Sequence, residues 1–425
     1  MMDFGEKSRY QMVNVSRLEL GMYVAELDRP WAETPFKYEG FEILTVAEIE
    51  MLQTHCKVVY IDPAHVSSSI TARARLLASE STARVVETQR DRLHDLLSDF
   101  DPYDYKKQKH NDAVKRTAEA FNHARAKLIV LLQALSRGRR VEAGHCRGVV
   151  EPLVKCILDD PDSVAWMTMI NKADPEPNDR NISTAVWAAI FARYLRLAPP
   201  IVLDIASGGL LLDVGFSRLS ASVREHEGVF EDRMRLAMRS HVKLGNEMLD
   251  RMIGITPRVR QMQREHHERI DGSGYPRRLS GDNVTHYGSF AGLVDSYDAM
   301  LSKTAYRPAL SSAEAMSELN KMSGLQFPRL HVECFIQAMG TFPDGSIVEL
   351  NTGEIAIVLS QDHDHRLRPE VLIVRDENKK PMDRPYKLNL GAVSARSGDQ
   401  NAVWIAQGLT TGSHEVYPRD FFSKV

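Results

Sequence analysis

The chain is 425 residues long, with 43% hydrophobic and 26% charged residues, a composition ordinary for folded domains and sufficient for two or three of them. Its 54 basic and 57 acidic side chains leave a formal charge of -3, so the overall field favours neither nucleic-acid nor anionic-membrane binding, and any basic site must be local. Four scattered cysteines, Cys56, Cys146, Cys156 and Cys334, form no CxxC pair, which argues against a disulfide framework or a thiolate zinc site and for buried thiols in a reducing compartment.

In chain order, the N-terminal MMDFGEKSRYQMVNVS lacks the apolar core of a signal peptide, and no run is read as reaching the ~20 apolar residues of a membrane span, so a cytoplasmic protein is expected. Short segments of strand character follow, Gly21 to Ala25 and Val58 to Ile61, separated by Asp, Pro and Gly, and they place a β-rich module at residues 1–66. Residues 67–110 turn polar and read as a linker with a helix near Thr82 to Leu97. From there the apolar period becomes three and four. Ala113 to Leu135, Val141 to Asp159, Thr184 to Leu197 and Glu231 to Met252 predict amphipathic helices, giving a helical domain over 111–342. After Thr341 to Gly345 the pattern reverts to alternating runs, with an Asn351-Thr352-Gly353 turn between two strands, and a small β-module is expected over 343–425. The fold class is α+β multidomain: a central all-α domain flanked by two β-rich modules.

The most specific string is His266-His267-Glu268-Arg269-Ile270-Asp271-Gly272-Ser273-Gly274-Tyr275-Pro276. Neutral imidazole nitrogen is a common transition-metal ligand. Two adjacent imidazoles on a helix diverge by about 100° and would approach a metal pair from different directions. Gly272, Gly274 and Pro276 then end the helix in a loop where backbone can approach a ligand or partner. By contrast Asp362-His363-Asp364-His365 reads most simply as a polar hairpin loop.

The string is similar to the HHExxDGxGYP signature of the HD-GYP family, a helical branch of the metal-dependent phosphohydrolases. His241 with Gly245 upstream, Asp295 to Met300 downstream, Gly281-Asp282 and Tyr306-Arg307-Pro308 match in the right order, so the resemblance covers roughly residues 165–342. It implies hydrolysis of cyclic-di-GMP at an iron or manganese centre. Carried over residue by residue, it implies Asp213, His241, His266, His267 and Asp295 as metal ligands, with Asp213 the surviving catalytic position. Glu176 falls where some members carry a further metal-binding glutamate, and the alternatives are a pair with Arg180 or no role. The Gly274-Tyr275-Pro276 loop implies contacts with partners such as GGDEF-domain proteins.

The sequence departs from this pattern at named positions. The family's HDxGK run reads here Leu212-Asp213-Val214-Gly215-Phe216, and the first family histidine aligns with Arg180. Leucine and phenylalanine offer neither a lone pair nor a charge, and a permanently charged guanidinium is not a metal ligand. The family's basic pair after the second aspartate appears as Thr304 and Arg307, while Arg277 and Arg278 flank the loop. The expectation is therefore one transition metal per chain rather than two, with Arg180 paired to Asp213 or Asp295 in place of the other. Such a protein is a catalytically impaired member acting as a cyclic-di-GMP sensor or protein-interaction adaptor. The alternative is an active phosphodiesterase with a remodelled site, and a third reading gives the function to the β-modules.

Overall fold

The computed structural model describes residues 10–18, 22–29, 41–43, 46–61, 102–173, 175–176, 178–224, 231–303, 308–360, 368–391 and 403–422. The helix expected near Thr82 to Leu97, the Asp362 to His365 tract, Thr304 and Arg307 lie outside the described residues.

The chain divides into two units, residues 1–81 and 82–425. In the first, strands β1 (Gln11–Asn14), β2 (Tyr23–Leu27), β3 (Phe41–Glu42) and β4 (Val58–Ile61) form an antiparallel sheet in the order β1-β4-β2-β3. In β4, Val59 and Ile61 are buried and Val58 and Tyr60 half-buried, the period of two that a one-sided sheet requires. Helix α1 (Val46–His55) supplies Leu52 to a core containing Val15, Val24, Ile43 and Val59.

The second unit begins with helices α2 (Pro102–Ser136), α3 (Ala143–Asp159), α4 (Pro161–Ala173), α5 (Asp179–Tyr194) and α6 (Pro199–Leu211). Helices α7 (Asp232–Arg239), α8 (His241–Asp250), α9 (Pro257–Glu265), α10 (His286–Met300), α11 (Ser312–Lys321) and α12 (Arg329–Met339) follow. The hub is α5 against α6 and α10. Phe191 stacks on Phe290 with ring centroids 4.5 Å apart, and Trp187 meets Tyr297 edge-on at 5.5 Å. Each such fully buried ring contributes roughly 1.5–3 kcal/mol of burial. Gly209 allows α6 its close approach to α5, because a Cβ there would lie 2.7 Å from the Thr184 carbonyl oxygen. The Thr184 hydroxyl fills the same contact by donating to the Gly209 carbonyl at 2.9 Å.

Two expectations change. The stretch Pro199–Arg218 is long and apolar enough by composition to cross a bilayer, contrary to the expectation that no run qualifies, and 67% of it is buried against the surrounding helices. Its apolarity is that of a central core helix. The single helix expected over Glu231 to Met252 is two, broken at Ser240. The Ser240 hydroxyl donates to the Ala237 carbonyl at 2.6 Å and His241 Nδ1 to the Met238 carbonyl at 2.7 Å, so side chains take two acceptors near the break.

After α12 comes a five-stranded antiparallel sheet, β5 (Ile347–Leu350), β6 (Ile355–Ser360), β7 (Glu370–Arg375), β8 (Pro381–Asn389) and β9 (Ile405–Leu409), ordered β8-β7-β6-β5-β9, followed by a short helix, Arg419–Phe422. The β5–β6 hairpin turns at Gly353, whose φ of 96° is left-handed and favours glycine. The fold class is thus α+β, a helical core with small antiparallel sheets toward either end of the chain. All four cysteines are free, and burial pushes the Cys146 thiol up to about 12.

Candidate metal centre

The residues singled out by the sequence converge at one end of the helical core. Asp213 sits where α6 runs into a 3-10 turn, Val214–Arg218, and His241 opens α8. These segments touch through Gly215, where a Cβ would lie 1.9 Å from the His241 carbonyl oxygen, so only glycine lets the aspartate and the histidine come together. His266 and His267 follow α9, and Asp295 projects from α10. The twin histidines therefore lie past the helix end, not within it. Helix α9 stops at Glu265 because the following chain turns to meet carboxylates: Glu265 accepts from the Thr285 N–H at 2.9 Å, and buried Glu268 from the Arg277 and Leu279 N–H groups at 2.7 and 2.9 Å.

Ligand-type atoms of Asp213, His241, His266 and His267 all lie within 4.8 Å of one another. His241 Nδ1 and His266 Nδ1 lie 2.7 and 2.8 Å from the carbonyls of Met238 and Gln263. A carbonyl only accepts, so each ring carries its proton on Nδ1 and, when neutral, turns a bare Nε2 lone pair inward. Those Nε2 atoms are 3.4 Å apart and lie 3.4 and 3.7 Å from Asp213 Oδ1, itself buried without a hydrogen-bond partner. Three buried acceptors facing one another repel. A divalent cation reconciles them, and the backbone-fixed Nδ1 protons are the outer support such ligands require. The donor set, nitrogen with carboxylate oxygen and no thiolate, suits iron, manganese or zinc.

Next to this cluster stands Arg180, in the first turn of α5. Its Nε lies 3.1 Å from Asp213 Oδ2, and its terminal nitrogen donates to Asp295 Oδ1 at 2.7 Å. The guanidinium spans both carboxylates, where the sequence had offered one or the other. Its inner edge is enclosed, while 40% of the side chain stays open to solvent. Burial alone would push the Asp213 carboxyl up, yet the Arg180 guanidinium holds it far below its ordinary range. Phe216 stacks on the His241 ring at 4.3 Å, and Leu212 is buried in the core. Glu176 is not brought into the cluster; 63% exposed, it pairs with Arg125 at 3.5 Å rather than with Arg180.

The loop after the histidines is fixed from beneath. Gly274 lies so close to the chain that a Cβ would come 2.5 Å from the Glu268 Cα. Tyr275 stacks on His267 at 4.5 Å and carries the Arg239 guanidinium on its ring at 4.7 Å. Arg277 reaches back to Glu265 at 2.7 Å, so it braces the loop. Sequence reasoning missed Glu265, Glu268 and Arg239 as supports; Glu268 stood inside the signature string, but nothing in the spacing showed that its carboxylate turns to the loop's backbone.

Burial pushes both His241 and His267 below the ordinary imidazole value near 6.5, His267 well below. A folded pKa below the unfolded one means that the unfolded chain takes up protons first as pH falls. Stability is expected to be full above about pH 6.5 and to decline below it, by ~1.4 kcal/mol per pH unit for each imidazole still neutral in the fold. Urea unfolding across that window measures the slope, and His267→Gln should make it shallower.

Residues 165–328 match the family described as HD domain. Residues 347–395 match a KOW domain associated with HD domain, and 10–146 a domain of unknown function, DUF3391. The helical module is thus similar to HD domains over residues 165–328. The chain is 24% identical to the cyclic di-GMP phosphodiesterase PA4108 of Pseudomonas aeruginosa, over 85% of this chain and 84% of that one. It is 30% identical to a cyclic di-GMP phosphodiesterase of Vibrio cholerae over 36% of this chain and 32% of that one. Among solved structures, Bd1817, an HDG"Y"P protein of Bdellovibrio bacteriovorus, overlaps 77% of the chain and 98% of its own at 13% identity, with a TM-score of 0.39.

Proposed function

We propose that this HD-GYP chain belongs to cyclic-di-GMP signalling as a catalytically impaired member, a nucleotide sensor or protein-interaction adaptor. It would hold one transition metal, iron or manganese, on Asp213, His241, His266 and His267. The observation that carries this reading is the Arg180 guanidinium bridging Asp213 and Asp295. A dinuclear centre needs both carboxylates for its two cations. Here a side chain supplies the second positive charge, covalently fixed and without Lewis acidity. The relatives named as cyclic di-GMP phosphodiesterases support the nucleotide.

When bound, a divalent ion supplies Lewis acidity toward a phosphate oxygen. The chain's own residues do the rest. Asp213, kept ionised by Arg180, contributes negative charge to the ion's site. The solvent-facing edge of Arg180 and the exposed Arg239 offer N–H groups to a phosphate diester. Phe216 on the His241 ring provides no proton to a leaving oxygen. The Gly274-Tyr275-Pro276 loop, its backbone held by Glu268, gives a stiff surface for a signalling partner.

Metal analysis tests the reading. Purified protein is expected to carry about one iron or manganese per chain, lost in His266→Gln; two per chain would overturn it. Titration calorimetry with cyclic-di-GMP should then give binding without turnover. The second reading, an active phosphodiesterase on a remodelled site, draws on the four ligand-type side chains gathered within 4.8 Å. It predicts steady release of linear dinucleotide.

A further inference from the structure

Away from the metal centre, a cavity of about 270 Å³ lies between the helices and the C-terminal sheet. Lys172 at the end of α4, Lys303 just past α10, the first turn of α11 and Ser346 ahead of β5 form part of its wall, with Phe342 and Ile347 as apolar surface. Its described lining carries two lysines and no carboxylate. The first turn of α11 places Ser312 and Ala313 at the wall, its N-terminus capped by Ser311 and the Glu314 carboxylate. The Ser346 hydroxyl is buried, its residue 5% exposed, and has no hydrogen-bond partner among the described residues. An orphaned hydroxyl at the wall of a cationic cavity is a donor lacking an acceptor.

Lys172 is half-buried, its side chain 10% exposed, and donates to Asp298 at 2.6 Å and Ser302 at 3.0 Å. Burial draws its ammonium below the usual range even against the attraction of Asp298. Asp298 also accepts from Trp187 Nε1 at 3.1 Å and lies three residues after Asp295 on α10, which joins the cavity to the metal centre by one helix.

We propose that this cavity is a second ligand site, for a small organic anion: a carboxylate or phosphate monoester on an apolar body. The lysines and the Ser346 hydroxyl take the charged head, and Phe342 and Ile347 the body. The site stands independently of the reading of the metal centre.

Calorimetric titration of the full chain with phenyl phosphate and with benzoate tests this, on the wild type and on Ser346→Ala and Lys303→Gln. Neither substitution removes a hydrogen bond seen among the described residues, so both variants should keep the wild-type melting temperature or exceed it. Saturable binding of at least one probe is expected, weakened about fivefold by Ser346→Ala, the worth of one hydrogen bond, and comparably by Lys303→Gln. No binding of either probe at millimolar concentration overturns the proposal. So does binding of wild-type strength in both variants, which would place the anion elsewhere, for example beside Arg180.

Discussion

Arg180→Met is expected to destabilise the protein by ~3 kcal/mol in the absence of metal. Asp213 and Asp295 have side chains only 13% and 4% exposed, and the guanidinium bridges both. Removing one partner of a fully buried pair costs roughly 3–5 kcal/mol, because the other is left charged without compensation. The lower end applies here, since 40% of the Arg180 side chain is open to solvent and its field is partly screened. Urea unfolding of chelator-treated protein measures the loss. Manganese should then rescue the variant more than it stabilises the wild type, since freeing both carboxylates strengthens the cation site; an ion at 100 times its dissociation constant adds ~2.7 kcal/mol. A loss below ~1 kcal/mol would show that the bridge is not what neutralises the carboxylates.

The helical core and its flanking sheets were legible because burial imposes periodicity. Val58 to Ile61 alternates as a one-sided strand, and Val141 to Asp159 repeats its apolar residues at helical spacing, as α3 does with Cys146, Val149, Val150 and Leu153 turned inward. The break at Ser240 was not legible, since it depends on side chains capturing carbonyls inside an apolar repeat that continues unbroken. Nor was the end of α9 at Glu265. Helix-forming residues continue past it, and what stops the helix is a set of loop N–H groups held by Glu265 and Glu268.

The site was legible in its parts and not in its assembly. His241, His266, His267 and Asp213 stood out by residue type and order, and they do converge. Their inward lone pairs could not be read from spacing, because the Nδ1 protons are fixed by carbonyls of the same short segments. Arg180 was expected to meet one carboxylate and meets two, since α5 enters the core between the end of α6 and the middle of α10. Glu176 is three residues from Asp179, whose carboxylate accepts the Glu176 N–H at 3.0 Å, and that turn leaves its side chain outside, beside Arg125.

Cyclic-di-GMP hydrolysis by the wild-type chain with manganese or iron should be slower than that of an Arg180→His/Leu212→His/Phe216→Lys variant by roughly 10³-fold, since a second ion contributes several kcal/mol and ~1.4 kcal/mol is tenfold in rate. Each substitution addresses one defect. Arg180→His removes the fixed charge and supplies an imidazole, Leu212→His places a lone pair beside Asp213, and Phe216→Lys returns a cation to the position stacked on His241. Leu212 is 1% exposed, so the triple variant risks its fold, and circular dichroism must accompany the assay. The wild-type measurement is independent of that risk. If the native chain releases linear dinucleotide or GMP at rates of about 1 s⁻¹, ordinary for enzymes, then an arginine-bridged centre suffices for hydrolysis and the impaired reading is wrong. If it binds the nucleotide and leaves it whole, the guanidinium has replaced a metal in charge but not in chemistry.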